Sequence, residues 1–106
     1  MNHPLLRKSG RDTMLAQWVL KEALVKKKTV LVLTAGMKDT NSLFGLMEKE
    51  VKMDMDVKIL ITPLEGSPRK TRGLRFDVVY ITHRVEEIYD NEEISKIMDE
   101  LVPILN

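Results

Sequence analysis

Two periods of apolar residues alternate along this chain. Met14, Leu15, Trp18, Val19, Ala23 and Leu24 recur at helical spacing and predict one apolar helix face. The helix is expected to start near Asp12, a residue suited to an N-cap. It is expected to close at Lys26-Lys27-Lys28, where cations complement the negative end of the helix dipole. Thr29–Thr34 is a run of β-branched and leucine residues, the pattern of a strand covered on both faces, as in a parallel sheet. Ala35-Gly36 marks a turn. Asp39, Thr40, Asn41 and Ser42 then offer N-caps for a second helix over roughly Ser42–Val51, with Leu43, Phe44, Met47 and Val51 inward.

The next segment switches to period two. Met53, Met55, Val57, Ile59 and Ile61 alternate with Lys52, Asp54, Asp56 and Lys58, which predicts a strand buried on one face, at or near a sheet edge. Pro63–Arg75 reads as a loop punctuated by Gly66, Pro68 and Gly73. Phe76–Thr82 is a second fully apolar strand. Asp90 and Glu93 form a variant of the capping box ahead of a last helix, about Asn91–Leu101, with Ile94, Ile97, Met98, Leu101 and Val102 inward. Helices and strands in this order predict a single α/β domain over residues 1–106. Its expected architecture has three layers, a small, largely parallel sheet flanked by helices.

Composition narrows the chemistry more than the fold. A chain of 106 residues, 43% hydrophobic and 31% charged, is ordinary for one globular domain. The net charge of +1 gives no global field toward nucleic acid or an anionic membrane, so any electrostatic site must be local. The absence of cysteine excludes disulfides, thiol chemistry and cysteine-ligated metal. No stretch resembles a signal peptide or approaches transmembrane length. The expectation is a cytoplasmic protein, in the host cytoplasm if the chain is viral, with no membrane partner.

Two stretches carry a resemblance. Arg7-Lys8-Ser9-Gly10-Arg11-Asp12-Thr13, heading the first helix and followed by Lys28-Thr29-Val30-Leu31-Val32-Leu33-Thr34, resembles the opening of helicase-like P-loop ATPases. Arg72-Gly73-Leu74-Arg75-Phe76-Asp77-Val78-Val79-Tyr80-Ile81 resembles the passage leading to the acidic pair in phage terminase large subunits and related motors, and Ile88–Glu93 resembles the segment after that pair. The resemblance implies a reduced P-loop fold with a nucleotide site at Gly10, Arg11, Asp12, Thr13, Thr82 and His83.

The residues at that site depart from the family's pattern. A phosphate loop ends Gly-Lys-Ser/Thr. Here Arg11 keeps the charge without the compact ammonium, and Asp12 sets a carboxylate where a hydroxyl should reach Mg²⁺. Leu5 replaces the first glycine of the loop. Thr82 and His83 stand where an Asp and a water-activating Glu belong. These departures predict a binding domain without hydrolysis and without a cofactor, its partner a protein or a nucleic acid. One alternative is a divergent nucleotide-binding protein or ATPase that retains ATP and Mg. Another is a structural domain that forms a homo-oligomer through its edge strand.

Three other features compete with plainer readings. His83, with Asp77, Glu86 and Glu87 near it in sequence, is either a general base or metal ligand or a polar loop residue. Arg69, Lys70, Arg72 and Arg75 form a basic cluster suited to nucleic-acid phosphates or simply a solvated loop. No aromatic residue is interleaved there to stack bases. Met53 and Met55 on the expected edge strand suit an adaptable protein-binding surface.

Overall fold

The computed structural model describes residues 12–53 and 57–106. Three parallel strands, β1 (Val30–Thr34), β2 (Ile59–Pro63) and β3 (Val78–Ile81), form one sheet in the order β2-β1-β3. Val30 lies opposite both Ile59 and Val78, and Val32 opposite Ile61 and Tyr80. Among the described residues five α-helices flank the sheet: α1 (Asp12–Leu20), α2 (Met37–Met53), α3 (Ser67–Lys70), α4 (His83–Ile88) and α5 (Asn91–Leu101).

Alternation along the strands divides the core in two. Val30, Val32, Val78 and Tyr80 point to one face, where they meet Leu15, Ala16 and Val19 of α1 and Leu43 and Met47 of α2. Leu31, Leu33, Val79 and Ile81 point to the other and meet Val85 of α4 and Ile94, Met98 and Leu101 of α5. Every position of β1 is buried, as its unbroken apolar run requires of a central strand with helices on both sides. The α/β fold with a small parallel sheet between helices is therefore the observed architecture.

The strand order explains why both faces are covered. The chain steps outward from β1 to β2, then back past β1 to β3. Parallel crossovers share one hand, so reversing direction moves the connection to the opposite face. Accordingly α2, between β1 and β2, packs on the first face, and Leu64, just after β2, already belongs to the second.

Several boundaries differ from the sequence expectation. The first helix does not end as a plain α-turn. Lys21–Val25 forms a π-turn, followed by Lys27 in the left-handed region at φ 57°. The widened turn buries Glu22, whose carboxylate pairs with Lys26 at 3.2 Å and Lys28 at 3.6 Å. The lysine run thus neutralises a buried acid as well as a helix end.

The second helix starts at Met37, not Ser42. Asp39 accepts from the Ala35 N–H at 3.0 Å, and Thr40 N–H reaches the Gly36 carbonyl at 2.9 Å, so the ladder begins directly after the turn. It continues to Met53, which places Met53 in a helix and shortens the expected Met53–Ile61 strand to Ile59–Pro63. Met55, Asp54 and Asp56 lie outside the described residues. The expected edge position of this strand is observed. Phe44, expected inward, is 39% exposed.

The expected Pro63–Arg75 loop contains the single-turn helix α3. It is entered through Gly66 at φ 78° and held by the Ser67 and Thr71 hydroxyls, which donate to the Leu64 and Ser67 carbonyls. The last strand narrows to Val78–Ile81, and Phe76 instead bridges Leu105. Helix α5 keeps its expected bounds, and its N-terminus carries both bonds of the Asp90–Glu93 capping box. Val102, expected in the inward stripe, is 46% exposed in the 3₁₀ turn Val102–Ile104.

Candidate binding cleft at the carboxyl end of the sheet

Strands β1 and β3 are neighbours whose following helices leave to opposite faces. α2 packs with the first cluster, and α4 and α5 with the second. In open α/β sheets such a divergence leaves a crevice beyond the carboxyl ends of the strands, where ligands bind. A cleft of about 490 Å³ opens there, walled by Ala35, Gly36, Lys38, Asp39 and Ser42 on one side and Arg84 and Ile88 on the other.

The floor is polar and tightly connected. Thr34, the last residue of β1, and Thr82, just after β3, are both buried. The Thr82 hydroxyl donates to Asp39 Oδ2 at 2.6 Å, and the Ala35 N–H donates to the same oxygen. Thr34 and Thr40 share a hydroxyl hydrogen bond of 2.6 Å, and the hydroxyl that accepts in that pair is free to donate to the Gly36 carbonyl, 3.2 Å from Thr34 Oγ1 and 2.9 Å from Thr40 Oγ1. These bonds fix the Ala35-Gly36 turn, the first turn of α2 and the start of α4 as one unit. Above the floor, the exposed side chains of Lys38 and Arg84 come from separate helices. Among the described residues neither has an ion-pair partner. The cleft therefore offers two cations beside a carboxylate that is hydrogen-bonded into the protein, an arrangement that suits an anionic group.

The sequence-predicted site residues scatter around this cleft. Gly10 and Arg11 lie outside the described residues. Asp12 and Thr13 open α1, with Thr13 exposed. Thr82 lies in the cleft floor and is fully buried. His83 opens α4 and is exposed, with its Nε2 2.8 Å from Glu87 Oε1 one turn along. Of the acids near His83 in sequence, Asp77 is at the opposite end of β3. There its carboxylate accepts from the Thr29 N–H at 2.9 Å and from Asn106 Nδ2 at 2.7 Å. Those two bonds hold the Asp77 carboxyl below its usual range, reinforced by Lys28 and Lys58 against a small opposing effect of burial. Among the described residues, no group of three His, Asp or Glu side chains has the grouping of a metal site.

Arg69, Lys70, Arg72 and Arg75 are all exposed and spread along the segment from α3 to Phe76, with Arg72 one turn after Arg69. Arg69 and Lys70 belong to α3 near the carboxyl end of β2, whereas Arg75 precedes Phe76 at the amino end of the sheet. Arg75 Nη1 donates to the Pro103 carbonyl at 2.9 Å, which ties it to the segment after α5. On the same face of the sheet Tyr89 is pushed above its ordinary value by burial and by Glu65 and Glu93.

Lys38 and Arg84 were not visible as a pair in the sequence. They are 46 residues apart, and Arg84 sits in a helix too short to show a period. The local signal for α4 is slight: a hydroxyl residue, Thr82, followed by Val85 and Ile88 three apart. No protein-family model matches the chain, and no curated protein or solved structure matches it.

Proposed function

We propose that this chain is a binding domain of reduced P-loop type that does not hydrolyse nucleotides. It engages an anionic group of a nucleic-acid or protein partner at the carboxyl end of its sheet. The observation that supports this reading is the Thr82–Asp39 hydrogen bond. The position that would carry the metal-organising acid is a threonine, and its hydroxyl is spent on turning the nearby buried carboxylate inward. A magnesium ion at this end would need a free carboxylate. Asp39 Oδ2 already accepts from two protein donors, and His83 lies outside the cleft on Glu87. On this reading Asp39 serves the fold at this end through Oδ2, and no hydrolytic step is assigned to the described residues.

A second reading, a divergent nucleotide-binding protein, draws on the cleft itself. About 490 Å³ is within the range of small-molecule sites, and Lys38 with Arg84 would face phosphates. One set of measurements separates the readings. Steady-state assays with ATP or GTP and Mg²⁺ should show background only. Calorimetric titrations with Mg–ATP and with a short single-stranded DNA should show which ligand binds, and Lys38→Ala with Arg84→Ala should weaken that binding. Turnover that disappears on Arg11→Ala would overturn the proposal, and so would DNA affinity indifferent to both substitutions.

A further inference from the structure

The two edges of the sheet are unequal. β3 is buried at all four positions, whereas β2 is half-exposed at four of its five. Its backbone polarity can be read from its bonds to β1. The Lys58 carbonyl accepts from Val30 N–H at 2.9 Å, and Leu64 N–H donates to Thr34 at 2.7 Å. Successive residues of a strand point their backbone groups to opposite sides. Lys58, Leu60, Thr62 and Leu64 therefore face β1, and Val57, Ile59 and Ile61 direct N–H and C=O outward. Pro63 also faces outward, so the missing donor of this strand falls on the edge that no strand among the described residues covers, where proline is tolerated.

Clefts flank this edge on both faces. On one, Ile59 and Ile61 form a groove of about 250 Å³ with Phe44, Met47 and Val51 of α2. On the other, Leu60 borders a cleft of about 430 Å³ with Leu74 and Phe76. Phe44 and Leu74, one on each face, are 39% and 47% exposed. A strand added to β2 would send alternate side chains to the two faces.

We infer that the strand taken up is β2 of a second copy of this chain, paired antiparallel about a two-fold axis to give one continuous six-stranded sheet. The edge is complementary to itself. With Leu60 opposite Leu60, Ile59 faces Ile61 in both directions, and their outward N–H and C=O groups all find partners. Val57 faces Pro63, so Val57 N–H reaches the Pro63 carbonyl, and the proline lacks only one bond at each end. Lys58 then lies opposite Thr62, so no like charges are opposed, as they would be if Lys58 met itself. An axis perpendicular to the sheet keeps Ile59 and Ile61 of both copies on the α2 face. The second strand thus supplies to each groove the residue type that already lines it.

The test is the mass of the intact chain by sedimentation equilibrium, with residue-resolved amide exchange at low and high protein concentration. A dimer is expected, with the Ile59 and Ile61 amides slowing at least tenfold as concentration rises. The Leu60 and Thr62 amides, bonded to β1, should not change. Phe44→Glu, at an exposed position, should give a folded monomer with fast Ile59 and Ile61 exchange. A parent monomeric at all concentrations overturns the inference. So does a dimer whose Ile59 and Ile61 amides stay fast, or a folded Phe44→Glu variant that still dimerises. If Phe44→Glu does not fold, the exchange pattern of the parent decides alone.

Discussion

The Thr82 hydroxyl and the Asp39 carboxylate meet at 2.6 Å across the carboxyl end of the sheet, joining residues 43 apart in sequence. Asp39 belongs to the first turn of α2 and Thr82 precedes α4, so this bond clamps the two helices that wall the cleft. It also explains how an aspartate can be only 8% exposed: Thr82 and the Ala35 N–H solvate one of its oxygens in place of water.

Thr82→Val, which keeps shape and removes the donor, should therefore destabilise the fold by about 1–3 kcal/mol, the cost of leaving a buried charged acceptor short of a partner. Thr82→Ser should recover most of that stability. Chemical denaturation of the three proteins measures both effects. A valine variant as stable as the parent would show that the bond contributes nothing.

Sequence reasoning reached the layers and the strand types but not the cleft. β1 was legible because Val30–Leu33 lacks any polar residue, the pattern of a strand with helices packed on both of its faces. The α5 start was legible because a capping box is a local motif, contained within Asp90–Glu93. The boundary between α2 and β2 was not. Met53, Val57, Ile59 and Ile61 fit a period of two, but Met53 also continues the α2 helix, and propensity at a junction yields to packing. The cleft was illegible for a different reason. Asp39, Thr82, Lys38 and Arg84 become neighbours only once the strand order β2-β1-β3 is fixed, and no local pattern encodes that order.

Gly66 carries a second prediction. Its φ of 78° lies in the left-handed region, and a Cβ built there meets nothing within 4 Å. Gly66→Ala should thus cost backbone strain alone, about 1 kcal/mol, with no packing defect. Equilibrium unfolding should show that decrease with an unchanged denaturant slope. A decrease several times larger would mean that α3 depends on Gly66 for more than its conformation.

The placement of the basic residues separates their roles. Arg69 and Lys70 are exposed on α3, while Arg75 is tied to the Pro103 carbonyl. If the chain binds nucleic acid through this segment, replacing Arg69 and Lys70 by alanine should weaken binding. The salt slope should fall by about one for each phosphate no longer neutralised. Arg75→Ala should act mainly on the anchoring of the segment after α5. Filter binding across a salt series tests the first effect and thermal unfolding the second. Equal effects of all three on the salt slope would contradict the division.

Asp77 should govern part of the acid limb of stability. Its carboxyl is held below the ordinary aspartate value of 3.8, first by the Thr29 N–H and then by Asn106. A group with a depressed native pKa stabilises the fold fully above its unfolded value, and that contribution is lost as pH falls through the native value. The unfolded chain takes up the proton first, so stability should decline from about pH 4 downward. Asp77→Asn retains an acceptor for Thr29 but cannot titrate. The gap in melting temperature between parent and Asp77→Asn should be largest near neutral pH and shrink as the pH drops below about 4. The same bonds join the amino end of β1 to Asn106, which also reaches Phe76 through its backbone. Loss of the charge should therefore speed amide exchange first at Thr29 and Asn106. A parent–variant gap that stays constant with pH would show that Asp77 titrates alike in the folded and unfolded chain.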